Sequence, residues 1–260
     1  MPAFKAATST VNNKDVYDDA FFDSITEGSL QSARVIVPIL LNVINPKSVI
    51  EVGCGRGAWL KVFQENGIDL IRGIEGPWMD ESKFLIHNAS LRIADLSQPF
   101  KIDGQYDLAV CLEVVEHLPP NAGRFLILQM TTAAPLVLFS AAIPGQGGEG
   151  HVNEQWPDYW DKVFAEFRFR RLDPIRQQLM QDSRVEWWYR QNIALFASYD
   201  AIANSPTLKA VETKGKTELE WIHKDIVKAI LARQTDHASL RWILKQVPRA
   251  ALRAIKVRLT

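Results

Sequence analysis

The most constraining feature of the chain is a short apolar run, 48–52, that ends directly in the glycine-rich segment Gly53-Cys-Gly55-Arg-Gly57 and then passes into helical spacing over 58–65. A strand that meets closely spaced glycines and then a helix is the opening unit of a parallel, ligand-binding sheet, because glycine lets the backbone turn sharply and lets a ligand approach. The pattern then repeats. Further strands are expected over 70–75, 90–94, 106–112 and 136–140, with a helix over 122–131 between the last two. Strands alternating with helices imply a parallel sheet covered on both faces. Past a glycine-rich loop, 144–150, a helix over 157–167 is followed by strands near 169–173 and 188–197 with no long helix between them, which implies an antiparallel edge.

The ends are helical appendages. Residues 1–14 read as a loose tail, and apolar spacing over 17–44 predicts two helices, the second ending before Pro46. Ser205-Pro206 marks a break, and the remainder to residue 260 reads as helices. The expected organisation is therefore a tail and helical cap (1–46), a ligand-binding domain (47–200) and a helical appendage (201–260), in an α/β, Rossmann-like, doubly wound and mostly parallel sheet.

Composition excludes several classes. With 260 residues, 47% hydrophobic and 23% charged, the chain is long enough for a sizeable core and is not disordered. Thirty basic residues balance thirty acidic ones, which argues against coating nucleic acid. Two cysteines are too few for a disulfide framework, so a reducing, cytoplasmic setting is expected. The N-terminus lacks a signal pattern, and the longest apolar stretch, 35–44, is too short to span a bilayer. Residues 237–260 carry six basic side chains and no acid, interleaved with apolar ones, so peripheral contact with the inner face of a membrane is an expectation weighed against a helix packed on the core.

Carboxylates follow successive strands. Glu75, 22 residues past Gly53, is placed to accept ribose hydroxyls, and Asp95 follows the third strand, where it or its backbone can receive an adenine amino group. Glu51, two residues before the first glycine, suits a cationic amino-acid tail better than a pyrophosphate. Each of these has a bland reading as a turn, a cap or a solvated charge.

Taken together, Glu51-x-Gly53-x-Gly55-x-Gly57, the acid after strand two, Asp95-Leu96 after strand three and Leu112-Glu-Val-Val-Glu-His-Leu118 after strand four resemble class I S-adenosylmethionine-dependent methyltransferases over about 47–200. The resemblance implies that Glu51 and the glycines at 53, 55 and 57 hold the methionine part of S-adenosyl-L-methionine, with Glu113 beside them. It assigns Glu75 to the ribose, Asp95-Leu96 to the adenine and Trp78 to an adenine wall.

Methyl transfer to an alcohol needs a base or a metal to manage the proton. Of five histidines, His117 and His151 fall at the ligand-bearing sheet edge; His87, His223 and His237 do not. If a helical turn begins at Glu113, then Glu113, Glu116 and His117 share a face, and His151 completes a set for a divalent metal ion. That set is similar to the metal-dependent small-RNA 2′-O-methyltransferases and the ubiquinone-pathway O-methyltransferases. A metal-free base and a purely structural role stand beside it. His151, His117 and Glu116 are the catalytic candidates.

The segment 151–160 is dense in polar and aromatic groups. Asn153, Trp156 and Tyr159 are sugar-contact candidates, since sugar rings stack on aromatics while hydroxyls bond to amides; the alternative is a helix start with packed tryptophans. Arg190 is a candidate clamp for a phosphate or carboxylate, or a salt bridge at the sheet edge. Together with Trp188-Tyr-Arg-Gln-Asn192 this segment resembles a bacterial methyltransferase subgroup linked to surface-polysaccharide pathways. The expected activity is O-methylation of a hydroxyl on a sugar or glycan intermediate, with no nucleic-acid partner. The alternatives are a small non-sugar acceptor with metal assistance, a non-catalytic cofactor-binding subunit and, more distantly, a nicotinamide oxidoreductase.

Overall fold

The structure, a computed structural model, describes residues 19–87 and 90–214. The expected N-terminal tail, the basic stretch 237–260, His223 and His237 lie outside these residues. Helix α1 (Asp19–Leu41) leads into β1 (Ser48–Val52), α2 (Ala58–Glu65), β2 (Leu70–Glu75), β3 (Leu91–Ile93) and β4 (Leu108–Leu112). Next come α3 (Pro120–Ala133), β5 (Leu136–Ser140), α4 (Pro157–Glu166), β6 (Phe169–Leu172), α5 (Arg176–Leu179), α6 (Trp187–Asn192), β7 (Ala194–Ser198), α7 (Tyr199–Asn204) and α8 (Pro206–Lys214).

The seven strands form one sheet in the order β3-β2-β1-β4-β5-β7-β6. Strands β1 to β5 run parallel, and β7 pairs antiparallel with both β5 and β6. The doubly wound, mostly parallel sheet is thus present, with the reversed strand one place in from the edge. Alternate residues serve opposite faces, as the pleat requires. Val49, Leu108, Val110 and Leu138 enter one buried cluster with α1 and α2, while Ile50, Ala109, Cys111 and Phe139 enter the other with α3 and α4. Both cysteines are free and buried. No helix among the described residues is long and apolar enough to cross a membrane.

Two expectations are corrected. The region 17–44 was expected to form two helices; its described part is one, α1, running unbroken through Gly28. A mid-helix glycine costs about 1 kcal/mol relative to alanine, but here it is required, because a Cβ would lie 2.5 Å from Glu186 Oε1. The neighbouring Ser32 hydroxyl accepts the Glu186 N–H at 3.0 Å. Helix α1 also buries Ala33, Ile36, Val37 and Leu40 completely, each larger side chain contributing roughly 1.5–3 kcal/mol. The second correction concerns 188–197, expected as one strand. Its aromatic half is helix α6, and the strand begins only at Ala194. Contacts of Glu186 and Tyr189 with α1, invisible to a local pattern, set that helical turn.

Parallel pairing of β1, β2, β4 and β5 brings all their C-terminal ends to one edge, and the chain reverses its direction of travel between β1 and β4. A crevice opens at such a switch point. Gly53, with φ 71°, makes the first turn; a Cβ there would meet Val114 Cγ2 at 2.4 Å, so the loops after β1 and β4 touch.

Candidate active site

A cavity of about 410 Å³ occupies this crevice, within the roughly 300–1,000 Å³ usual for small-ligand sites. Its floor is the loop after β1. Glu75, at the tip of β2, is 6% exposed; its Oε2 accepts the Gly55 N–H at 2.6 Å and its Oε1 accepts the Gly76 N–H at 2.7 Å. These two bonds leave the carboxylate with further acceptor capacity. Trp78 folds over Gly76, where a Cβ would lie 2.0 Å from its ring, and its side chain hydrogen-bonds Glu75. Burial raises the Glu75 pKa and these bonds oppose the rise.

Glu51 is 3% exposed, and its Oε2 has no hydrogen-bond partner. Burial, and then the nearby Glu75 charge, push its carboxyl well above the usual range. A cationic group beside it would restore the ionised form. Asp95, Leu96 and Ser97 also line the cavity. Asp95 Oδ1 accepts from the Ser97 N–H and hydroxyl, so the turn reading and the lining position hold together. Gly53 and Gly55 line the cavity, whereas Gly57 sits behind it, where a Cβ would strike Phe84 at 2.7 Å.

The loop after β4 corrects the expected metal set. Glu113 takes φ 55° and so stands outside the one-turn helix Val115–His117. Its carboxylate accepts the side-chain N–H groups of Gln146 at 2.8 Å and Asn192 at 3.1 Å, and it is not part of the converging group. Burial raises its pKa. One ligand atom from each of Glu116, His117 and His151 falls within 4.8 Å of the others, so three of the four expected ligands converge. Glu116 is fully buried; Oε1 accepts the Ala142 N–H at 3.1 Å, Oε2 has no partner, and burial followed by the Glu113 charge pushes its pKa well up.

His151 lies edge-on to His117, with ring centroids 4.7 Å apart. Its Nδ1 is 2.9 Å from Glu154 Oε1. The same carboxylate accepts the N–H groups of Gly145 and Gly147 at 2.8 and 2.6 Å, and so ties the glycine-rich loop to the imidazole. With Nδ1 held in this way, Nε2 is the nitrogen left for chemistry. The His-x-x-Glu spacing was the available signal for this pairing; the sequence reading took Glu154 only as one polar group of the 151–160 cluster. Gly148 packs on this ring, since a Cβ would lie 2.3 Å from His151 Nε2. Gly148→Ala is therefore expected to displace the imidazole and slow turnover by about a hundredfold while leaving cofactor affinity unchanged. Steady-state kinetics and calorimetry check this, and an unchanged kcat would refute it.

Burial, and then the His151 charge, lower the His117 pKa from 6.5 to about 4. The unfolded chain therefore binds a proton between those values that the folded chain refuses. This contribution to stability is intact above pH 6.5 and falls away as pH drops toward 4, by about 3 kcal/mol in all. Urea unfolding at pH 7.5 and 4.5 should show wild type losing about 2.5 kcal/mol more than His117→Gln; equal losses would contradict it.

The sugar-contact candidates do not reach the cavity. Asn153 is 2% exposed and donates to the Val115 carbonyl at 3.2 Å, which pins the His151 loop to the turn after β4. Tyr159 packs edge-on against buried Trp160, and Trp156, 48% exposed, lies on the outer surface as the residue preceding α4. Arg190 donates to the Met180 carbonyl at 3.3 Å and does not line the cavity. In their place stand Ile25, Thr26 and Ser29 of α1, which the sequence did not single out, and Trp187, Trp188 and Tyr189 of α6, an aromatic cluster visible in the sequence but not assigned there to the cavity. His87 is exposed, away from the cavity.

A family profile described as a methyltransferase domain matches residues 31–192. The chain is 34% identical over 98 residues to the chloroplastic tocopherol O-methyltransferase of Arabidopsis thaliana, a match covering 34% of this chain and 28% of that protein. Among solved structures it is similar to a chain of the complex between the Haloferax volcanii Trm112 methyltransferase activator and a methyltransferase. That likeness has 10% identity and a TM-score of 0.51, and covers 69% of this chain and 94% of that one. It is also similar to magnesium protoporphyrin IX methyltransferase of Synechocystis PCC 6803 with bound S-adenosylmethionine, at 15% identity and a TM-score of 0.49, over 74% of this chain and all (100%) of that one. At such identities the structural likeness is one of fold.

Proposed function

This chain belongs to the methyltransferase family, and on that premise we propose that it transfers the methyl group of S-adenosylmethionine to a hydroxyl oxygen of a sugar or glycan intermediate. The cavity's chemistry fits the donor. Glu51, with its partnerless buried oxygen, suits the cationic amino-acid end; Glu75, anchored by backbone N–H groups with acceptor capacity left, suits the ribose; Asp95, Leu96 and Trp78 suit the adenine. Bound there, S-adenosylmethionine supplies a methyl group already activated on a sulfonium.

The chain's part is to hold the hydroxyl and take its proton. The observation that carries the reading is the His151–Glu154 pair at the cavity wall. His151 Nε2 accepts the hydroxyl proton, and Glu154 steadies the imidazolium that results. His117, neutral above about pH 4, adds no competing positive charge. Oxygen as the receiving atom is supported by the name of the tocopherol relative. The sugar is supported by tryptophan faces standing beside carboxylates in one cavity. The test is transfer of labelled methyl to a panel of glycosides, phenols and amines. Transfer to amines alone, or to nothing while the cofactor binds, would overturn the reading.

A second reading is favoured by the convergence of Glu116, His117 and His151. These three would hold a divalent ion that lowers the hydroxyl pKa. The base reading expects turnover within twofold of the untreated rate after exhaustive treatment with chelator. A fall of tenfold or more, reversed by Mg²⁺, Mn²⁺ or Zn²⁺, would select the ion instead.

A further inference from the structure

Two observations on the cavity bear on what kind of acceptor enters it. The first is its aromatic wall. Trp187, Trp188 and Tyr189 stand ring against ring, with centroids 5.6 Å apart for the first pair and 5.9 Å for the second, and Trp59 meets Tyr189 edge-on at 5.1 Å. The wall is braced from behind. Tyr189 OH and Ser29 Oγ are 3.1 Å apart, Ser32 Oγ accepts the Glu186 N–H, and Gly28 leaves room for the Glu186 carboxylate. The rings are therefore held in place before any ligand arrives, which limits the entropy lost on binding.

The second observation is charge. Glu51, Glu75, Asp95, Glu113, Glu116 and Glu149 all line the cavity. Among the described lining residues the lone Lys or Arg is Arg56, and its guanidinium is paired with Asp23 of α1. Arg190, expected to clamp a phosphate or carboxylate, is outside the lining. The cofactor takes up Glu51, Glu75 and Asp95, and Glu113 is engaged by Gln146 and Asn192. What remains for the acceptor is aromatic faces, imidazole and carboxylate, with no cation to meet an anionic group.

We propose that this cleft selects an electrically neutral hydroxyl compound, laid flat against Trp187-Trp188-Tyr189, and rejects acceptors carrying phosphate or carboxylate. The inference rests on the methyl-transfer reading only for deciding which part of the cavity receives the acceptor. It excludes sugar nucleotides and sugar phosphates as substrates and points to a neutral glycoside. An anionic group brought into a partly desolvated site with no Lys or Arg left to pair it is strongly disfavoured, whereas a sugar face on an aromatic ring is favoured and leaves its hydroxyls free to meet Glu116, Glu149 and His151.

The test uses the full chain saturated with S-adenosylhomocysteine, and titrates phenyl β-glucoside and its 6-phosphate by calorimetry. The expected result is measurable binding of the neutral glycoside and at least about tenfold weaker binding of the phosphate. Trp188→Ala should weaken the neutral glycoside by about tenfold, with retained S-adenosylhomocysteine binding marking a folded variant. Glu149→Lys, at the exposed mouth, should improve phosphate binding by about tenfold and narrow the gap. Equal or tighter binding of the phosphate, or no heat from the glucoside up to about 10 mM, would overturn the proposal. Binding is read here without turnover. A glucoside that binds and is never methylated thus counts against O-methyl transfer and in favour of the neutral cleft.

Discussion

Glu75→Gln is expected to weaken S-adenosylmethionine binding by about ten- to a hundredfold. The carboxylate is gripped by two backbone N–H groups and keeps acceptor capacity beyond them. A hydrogen bond to a charged group contributes roughly 1.5–3 kcal/mol, and one to a ribose hydroxyl corresponds to about ten- to a hundredfold in affinity. The amide would also set an NH₂ against the N–H of Gly55 or Gly76, leaving a buried donor unpaired at a cost of about 1–3 kcal/mol. A lowered melting temperature should therefore accompany the lost affinity. Calorimetry with the cofactor and a thermal melt check both; an affinity within threefold of wild type would remove Glu75 from the site.

His151→Ala should act on the other half of the reaction. General-base assistance is worth roughly 10²–10⁴ in rate, so kcat should fall by that factor while cofactor affinity stays level. Glu154→Gln should lower kcat less, by about tenfold, because the imidazole is then misoriented rather than absent. It should also loosen the loop, since the carboxylate accepts from Gly145 and Gly147. A His151→Ala enzyme within threefold of wild type would assign the proton to another group.

The two substitutions differ in how far their targets could be read from sequence. Glu75 sits at the end of a strand whose apolar run and length are local properties, and its distance from the glycine loop follows from one strand–helix–strand unit. Strands β1, β2 and β5 and helix α2 have the expected bounds for the same reason. His151 was identified as a candidate, but its partner was not, because the loop's fold brings Glu154 to it. Glu113 failed in the opposite way. Its spacing to Glu116 and His117 places it on a shared helical face only if a helix starts there, and a backbone φ of 55° sends the carboxylate to Gln146 and Asn192 instead. Asn153, Trp156, Tyr159 and Arg190 carried the right chemistry in a dense local cluster. Helix α4 and the turn after β4 consume the first three for packing or leave them on the outer surface, and Arg190, from the later segment, goes to the Met180 carbonyl.

Local order was decided by the sequence itself: the alternation of strand and helix, the glycine turn at the head of the sheet, and the acids at successive strand tips. Each depends on residues within a few positions of one another, where sterics and side-chain period act directly. The acceptor side of the cavity was decided by tertiary structure alone. Its wall joins α1 to α6 across about 160 positions of sequence, through Ser29 with Tyr189 and Gly28 with Glu186. No period in the chain encodes a contact at that separation; it exists only because the sheet holds both helices over the same crevice.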